Sequence, residues 1–317
     1  MQAATHLASA HHPSTFAAAL LAGLQHTPRQ VSPKWFYDQR GSALFEQICE
    51  LPEYYPTRTE LGMLARYAHE MVECMGPRID LIEFGAGATR KVRYLLDAST
   101  HIKRFIPIDI SADHLTEASN DLRRDYPGVR IEPMGADFTQ DLALPEAVGQ
   151  RIGFFPGSSI GNFDPAEAQR LLSRMAKWLQ GGGLLIGVDL VKDPATLHAA
   201  YNDAQGVTAQ FNLNLLARAN TELGTHFELD QFAHSAFYNP PLQRIEMHLV
   251  SLCDQTVPLA GERLHFQEGS SIHTESSYKY TVAGFQALAS RAGFRPDAVW
   301  LDEARQFSLH WLSAPDN

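Results

Sequence analysis

The sequence predicts an α/β fold in which a doubly wound, mostly parallel sheet is covered by helices on both faces. An apolar run at 79–84 passes into a Gly-x-Gly turn and a helical stretch, and a second apolar run then ends on Asp109. Nearly continuous apolar runs recur at 151–156 and 184–191. Apolar runs that alternate with helical stretches are typical of parallel strands buried on both faces.

Local signals place the middle elements of this sheet. A third strand is expected near 129–132, just before Gly135-Ala136-Asp137-Phe138. Asp164 followed by Pro165 predicts the start of a helix, because Asp caps helices and Pro is favoured at the first helical position. That helix is expected to end near 179, where three glycines lead into the fifth strand.

The end of the chain is predicted to complete the sheet. From Val282 the apolar residues return with a helical period, and Gly293 stops the helix. Two further strands are expected at 298–301 and 307–312, as an antiparallel hairpin. In such a sheet ligands bind beyond the carboxyl ends of the strands. Four residues are expected to lie there: Gly85, Asp109, Asp137 and Asn162.

Two other stretches have a different character and predict a second, substrate-recognition domain of α+β type. The chain up to about residue 58 is mostly helical and rich in aromatic residues. Between 196 and 280 two helical stretches give way to period-two alternation at 244–250, for which 264–266 is the expected partner strand. The predicted domains are 59–195 plus 281–317, which would bind a cofactor, and 1–58 plus 196–280.

Composition excludes several classes of partner. The formal net charge is -10, whereas binding to nucleic acid or an anionic membrane needs clustered Lys and Arg. No apolar run approaches the length of a membrane span, and no histidine or cysteine shows a metal-ligand spacing. The three cysteines, Cys49, Cys74 and Cys253, are expected to be buried thiols in a reducing compartment. We expect a cytoplasmic monomer that holds no metal.

The glycine turn favours S-adenosylmethionine (SAM) over a dinucleotide. A dinucleotide site has a third glycine where this chain has Arg90. The order acid, x, Gly, x, Gly from Glu83 to Gly87 resembles the first motif of class I SAM methyltransferases, which have a Rossmann-like sheet. Asp109 is expected to hold ribose hydroxyls, and Asp137 with Phe138 to contact adenine.

Longer segments resemble histidine Nα-methyltransferases, the SAM-dependent enzymes that make hercynine for ergothioneine biosynthesis. The N-terminal part of the likeness is the most specific, and the whole covers nearly all of the chain after about residue 15. The segments that carry it are 33–38, 41–46, 51–60, 157–162, 189–193, 244–247 and 274–277.

The resemblance implies a role for each matching residue. SAM would be held by Gly85, Gly87, Lys91, Asp109, Asp137 and Phe138, with Gly157 and Ser159 of the loop after the fourth strand. The catalytic residues, which would position the substrate's amino and carboxylate groups, are Tyr37, Tyr54 and Asn162, with Tyr201 beside them. The imidazole would be held by Glu275 and Ser277, with Met247 packing nearby and Phe45 as an aromatic wall.

These residue types suit the chemistry. Methyl transfer to an amine is an in-line displacement, so the protein mainly has to position an unprotonated amine. A Glu beside an imidazole selects histidine through a charge-assisted hydrogen bond, and aromatic walls tolerate the cation that forms as methyls accumulate. The resemblance implies up to three transfers to L-histidine, giving hercynine.

Other interpretations stay open at this point. The substrate could be another amino acid or a histidine derivative, and the chain could be a SAM-binding regulator without turnover. Gly157-x-Ser159-x-Gly161 also resembles the nucleophile elbow of serine hydrolases, with His310 downstream. Glu275 lies in a stretch rich in Ser and Thr, where a solvated loop residue is the ordinary interpretation.

Overall fold

The computed structural model describes residues 13–316, with the side chains of all but 13–15 and 113. Residues 1–12, which the predicted second domain includes, lie outside the described residues. The helices are α1 (Pro13–Gln25), α2 (Gln39–Glu50), α3 (Tyr55–Glu73), α4 (Val92–Ala98), α5 (Ala112–Asp125), α6 (Pro165–Trp178), α7 (Pro194–Tyr201), α8 (Val207–Leu223) and α9 (Val282–Arg291). The strands are β1 (Ile79–Phe84), β2 (Ile102–Asp109), β3 (Arg130–Ile131), β4 (Met134–Gly135), β5 (Gln150–Phe155), β6 (Gly183–Asp189), β7 (Phe232–Asn239), β8 (Arg244–Ser251), β9 (Gln255–Leu259), β10 (Glu262–Phe266), β11 (Ser271–Tyr278), β12 (Arg295–Leu301) and β13 (Phe307–Ser313).

The central sheet has the strand order β12-β13-β6-β5-β1-β2-β3, and β4 extends the pairing of β2. From β6 to β3 the strands are parallel, and β13 runs antiparallel to both of its neighbours. Every residue of β1 and β6 is buried. The doubly wound sheet and the closing antiparallel hairpin predicted from the apolar runs are therefore confirmed.

Hydrophobic cores cover the sheet on its two faces. One core packs α3 and α4 against side chains such as Leu81 and Phe105. The other packs α6 and α9 against Ile82, Phe84 and Ile186. Because successive strand residues point to opposite faces, the neighbours Leu81 and Ile82 belong to different cores. Because β1, β2, β5 and β6 are parallel, their carboxyl ends lie at one edge of the sheet.

A third core lies apart from that sheet. It joins α1, α2, α7 and α8 to the antiparallel sheet β7-β8-β11 and to the hairpin β9-β10. The residues of this core fall between 16 and 55 and between 197 and 272, inside the two stretches predicted to form the second domain. The domain boundaries themselves stay a prediction.

The expected partner of β8 was wrong. Residues 264–266 pair with β9 instead, whereas β8 lies between β7 and β11. Alternation reveals which face of a strand is buried but carries no information on its partner. The local cause is the two-residue loop Ala260-Gly261, in which both residues have positive φ, as a tight hairpin requires.

The cysteines are unpaired, but Cys74 is exposed and the other two are half-buried, so the prediction of buried thiols was wrong. Cys74 lies at the solvent-facing end of α3, which the apolar surroundings in the sequence did not reveal. In the part of the chain that the structure describes, no helix combines the length and hydropathy needed to cross a membrane.

Candidate active site

The glycine turn and the tip of β2 form the floor of the site. Gly85 and Gly87 have φ of +70° and +49°, which favours glycine, and a Cβ at Gly87 would meet no atom within 4 Å. The Gly87 N–H donates to one carboxylate oxygen of Asp109 at 3.1 Å, and the Ser111 N–H donates to the other at 2.9 Å. Asp109 is thus held at the edge of the sheet, beside the backbone of Gly87, which is open where a Cβ would stand.

A cavity of about 1620 Å³ extends from this floor to β11. It brings together most of the predicted site residues, although they come from distant parts of the chain. Those that line it are Tyr37, Phe45, Gly85, Gly87, Lys91, Asp109, Asp137, Phe138, Gly157, Ser159, Asn162 and Glu275. Four predicted residues do not line it: Tyr54, Tyr201, Met247 and Ser277.

Asp137 and Phe138 flank the glycine turn. Burial would raise the pKa of Asp137, but hydrogen bonds from Thr139 and the charge of Lys34, 3.1 Å away, outweigh burial and lower it. Asp137 therefore stays an anionic acceptor. A Cβ built on Gly85 would lie 3.5 Å from the ring of Phe138, so the ring closes one side of the turn.

A carboxylate that sequence reasoning missed organises the opposite side. Glu60, fully buried in α3, lies 2.7 Å from the ammonium of Lys91. Its two oxygens also accept the Gly157 N–H at 2.9 Å each. One side chain thus connects the loop after β1 with the loop after β5. Its place inside the matched segment 51–60 was the only available signal.

Aromatic rings form a continuous wall toward the substrate end. The ring centroids of Tyr37 and Phe45 are 5.7 Å apart, those of Phe45 and Tyr54 are 6.3 Å apart, and those of Tyr54 and Tyr201 are 6.4 Å apart. Each pair meets edge to face. Tyr54 and Tyr201 thus stand behind the two rings that line the cavity, and burial raises the pKa of both phenols, which keeps them neutral donors.

Glu275 is a strand residue, not the solvated loop residue that its neighbours in sequence suggested. It lies in β11 opposite Met247, and its side chain is buried although it lines the cavity. Burial raises the pKa of Glu275 to about 7, opposed by the positive charge of Lys279. The Ser/Thr-rich composition misled because the hydroxyls are used inside the protein: Tyr201 donates to Ser277 Oγ at 2.8 Å.

Met247 is a core residue in this structure. It is 2 % exposed and belongs to the third core, on the strand face shared with Ile245 and Leu249. It therefore backs Glu275 from the neighbouring strand.

The loop after β5 does not form a nucleophile elbow. The residues with positive φ are Gly157 (φ +79°) and Ser158 (φ +55°), both before Ser159. The Ser159 hydroxyl donates to the Pro156 carbonyl oxygen at 3.1 Å. His310 is buried in β13, where Nε2 lies 2.9 Å from Ser308 Oγ, and it does not line the cavity. The loop instead ends in the turn Ser159–Asn162, which brings Asn162 to the cavity wall.

Glu246, His248 and His273 form a cluster that sequence spacing had not revealed, with potential ligand atoms within 4.8 Å of one another. Arg244 already pairs with Glu246 at 2.8 Å, and the two imidazole rings stack at 20° rather than converge on a point. Among the described residues this cluster is better explained by hydrogen bonding, with Glu246 Oε2 3.1 Å from His248 Nε2.

Comparison with known proteins decides the family. Residues 16–314 match the family model described as histidine-specific, SAM-dependent methyltransferase. The chain belongs to that family. It is 43% identical over 294 residues to a histidine N-alpha-methyltransferase of Mycolicibacterium smegmatis, covering 91% of each chain. It is 42% identical over 295 residues to the enzyme of that name from Mycobacterium tuberculosis, again covering 91% of each.

A third relative is longer. Ergothioneine biosynthesis protein 1 of Neurospora crassa is 30% identical over 308 residues, which cover 90% of this chain and 33% of that protein. Family membership confirms three expectations from the sequence: the protein is an enzyme, it is a methyltransferase, and SAM is the methyl donor. The cavity at the edge of the central sheet of this histidine-specific methyltransferase is lined by the residues expected to bind SAM.

Proposed function

We propose that this methyltransferase transfers methyl groups from SAM to the α-amino nitrogen of L-histidine, up to three times, to give hercynine. The observation that carries the proposal is the position of Glu275. This buried carboxyl group is the one acid of β11, and it lines the same cavity as the glycine turn. A histidine bound in this cavity would place its imidazole N–H against Glu275 and its α-amine near the glycine turn.

The residues at the sheet edge fit SAM. Asp109 offers acceptors for ribose hydroxyls, Asp137 and Phe138 offer an acceptor and a ring face for adenine, and Lys91 offers a cation for a carboxylate. When bound, SAM supplies a methyl group on a sulfonium that leaves as a neutral thioether. Gly157 and Ser159 border the same space. Their contacts with SAM are part of the proposal.

The chain's own residues would position the amine for in-line attack. Asn162 and the phenol of Tyr37 are neutral hydrogen-bonding groups on the cavity wall, so they hold an amino acid without stabilising its amine as an ammonium, and Tyr54 and Tyr201 support this wall from behind. The amine lone pair forms the new N–C bond while the S–C bond breaks, and the amine's proton leaves to solvent. Aromatic rings such as Tyr37 and Phe45 accept the growing cation by cation–π contact.

The test is turnover by the purified protein with SAM and a mixture of all common amino acids, followed by mass spectrometry. Histidine should gain the mass of one, two and then three CH₂ groups, because each transfer replaces a hydrogen of the amine by a methyl group. Proton NMR of the product should show N-methyl signals on the α-amino group and unmodified ring nitrogens. Methylation of a different amino acid, or of the ring, would refute the proposal.

We further propose that the enzyme is a cytoplasmic monomer without a nucleic-acid or membrane partner. The net charge of -10 supports the absence of a nucleic-acid or membrane partner, and the unpaired cysteines support a reducing compartment. Light scattering coupled to gel filtration tests the oligomeric state, because a dimer would double the 35.2 kDa mass.

A further inference from the structure

A buried network of charges joins the central sheet to β11, the strand from which Glu275 faces the cavity. Asp189, the last residue of β6, is 1 % exposed and accepts hydrogen bonds from the Tyr55 hydroxyl at 2.7 and 2.9 Å. It pairs with Lys192 at 2.5 Å and with Lys279 at 2.8 Å. Its backbone N–H donates to Ser158 Oγ at 2.8 Å. Lys279 lies outside the segments that carry the family resemblance, whereas the other members of the network fall within three of them.

Charge balance does not require both lysines. One carboxylate faces two ammonium groups, and Tyr55 already donates to it. Burial lowers the pKa of Lys192 to about 8, whereas at Lys279 burial is outweighed by the attraction of Asp189, which raises the pKa. Lys279 is therefore a permanent cation whose position needs another explanation.

Lys279 also contacts two residues behind the cavity wall, Ser277 and Tyr201. Its Nζ donates to Ser277 Oγ at 2.8 Å and lies 3.5 Å from the hydroxyl of Tyr201. An ammonium has donors only, and a hydroxyl has two lone pairs and one hydrogen. Because Ser277 Oγ accepts from both Lys279 and Tyr201, its own hydrogen has to donate elsewhere.

Ser277 and Glu275 are two residues apart in β11, so they share a face of the strand. Ser277 is buried and does not line the cavity, so it stands behind the wall from which Glu275 faces the cavity. Resting on the proposed function, we propose that Lys279 is a positioning residue that holds Ser277 and Tyr201 behind the cavity wall, where Ser277 lies beside Glu275 and Tyr201 supports the ring of Tyr54.

The test compares Lys279→Met with Lys192→Met. Both remove one cation from Asp189, but Lys192 contacts Tyr55, Asp189 and the Leu190 carbonyl rather than Ser277 or Tyr201. Lys279→Met should raise KM for L-histidine roughly 10- to 100-fold, the range for a lost charge-assisted contact, and leave kcat and the Kd of SAM within about twofold. Lys192→Met should leave KM nearly unchanged. Lys279→Arg, which keeps the charge and the donors, should restore part of the loss.

A double-mutant cycle separates positioning from a general effect. In a Ser277→Ala/Tyr201→Phe background, Lys279→Met should change KM far less than in the wild type, because its partners are gone. Equal effects in both backgrounds, or equal effects of Lys192→Met and Lys279→Met, would overturn the proposal. If both Lys279→Met and Lys279→Arg failed to bind SAM, Lys279 would be a residue of the fold alone, which also overturns it.

The wild-type assay keeps the two proposals apart. If the wild type methylated another amino acid instead of histidine, the proposed function would fail. The same variants would then be compared on that substrate, where positioning by Lys279 still predicts a larger rise of KM for Lys279→Met than for Lys192→Met.

Discussion

Glu60 and Lys91 form a buried ion pair, 2.7 Å apart, at the junction of the two loops that border the SAM end of the cavity. Glu60 is wholly excluded from solvent, whereas the Lys91 side chain is 22% exposed toward the cavity. The pair has room because residue 187 in β6 is glycine, where a Cβ would lie 2.2 Å from Glu60 Oε1. Strand β6, helix α3 and the loop after β1 therefore pack around the carboxylate of Glu60.

Glu60→Gln should therefore weaken both the fold and SAM binding. Removing one partner of a buried pair leaves the other uncompensated, which costs on the order of 3–5 kcal/mol. Because Lys91 keeps partial access to solvent, we expect a stability loss of about 2–3 kcal/mol, with a measurable fall in SAM affinity. Thermal unfolding with and without SAM, and calorimetric titration of SAM, measure the two effects.

Glu50→Gln is the matched control. Glu50 pairs with Arg90, the neighbour of Lys91, at 2.6 Å, but both side chains of this pair are more than half exposed. Exposed pairs contribute about 0–1 kcal/mol, so this variant should resemble the wild type. Equal losses for the two variants would contradict a special role for the buried pair.

Asp109→Ala should weaken SAM without creating nicotinamide binding. The carboxylate is held by the N–H groups of Gly87 and Ser111, and its loss removes an acceptor for the ribose, on the order of 1.5–3 kcal/mol. Calorimetry with SAM and with NADH measures both affinities. Asp121→Ala, an exposed acid of the next helix, is the control. Undiminished SAM affinity in Asp109→Ala would remove this residue from the site.

The sequence was informative where the determinant is local. The Gly85-x-Gly87 turn needs positive φ, the apolar period of β1 and β6 follows from burial on both faces, and Asp164-Pro165 starts α6 with a capping box. Each of these depends on residues a few positions apart. That is why the doubly wound sheet and its ligand-binding edge could be predicted from the sequence.

Sequence reasoning failed where the determinant is a contact between distant segments. The hydrogen bond from Gly157 to Glu60 spans 97 positions, and no local pattern marks either residue as a partner of the other. The partner of β8 and the burial of Glu275 have the same origin. Family resemblance pointed to Glu275 as a substrate-binding residue, which stays a prediction, and the structure places this residue on the cavity wall, whereas its polar neighbours suggested solvent.

Glu275 should also make stability depend on pH. Its pKa is raised to about 7 in the folded protein, from an ordinary value near 4.5. As the pH rises, the Glu275 carboxyl therefore ionises earlier in the unfolded chain than in the folded protein. The stabilisation that the folded protein gains from the neutral carboxyl is fully present below about pH 4.5 and is lost as the pH rises through 7. Glu275→Gln cannot ionise, and its advantage over the wild type should grow by on the order of 2–3 kcal/mol between pH 5 and 8.

Urea unfolding of the ligand-free protein at several pH values measures this difference. Glu262→Gln is the control, since Glu262 is an exposed residue of β10. A pH-independent difference between Glu275→Gln and the wild type would show that Glu275 keeps an ordinary pKa.

The same carboxylate should decide which amino acid is methylated. If ionised Glu275 accepts a hydrogen bond from the imidazole, Glu275→Ala leaves that donor unpaired in a buried site, at a cost on the order of 2–3 kcal/mol, or roughly a hundredfold in kcat/KM for histidine. SAM affinity should hardly change, because the residues expected to hold SAM, such as Lys91 and Asp109, lie in the loop after β1 and at the end of β2, whereas Glu275 lies in β11. The less polar pocket should also lose its penalty against apolar rings, so selectivity over phenylalanine and tryptophan should fall together with the rate. Turnover of these three amino acids by Glu275→Ala, with Glu262→Ala as the control, separates this role from a merely structural one, which would leave the ratio between substrates unchanged.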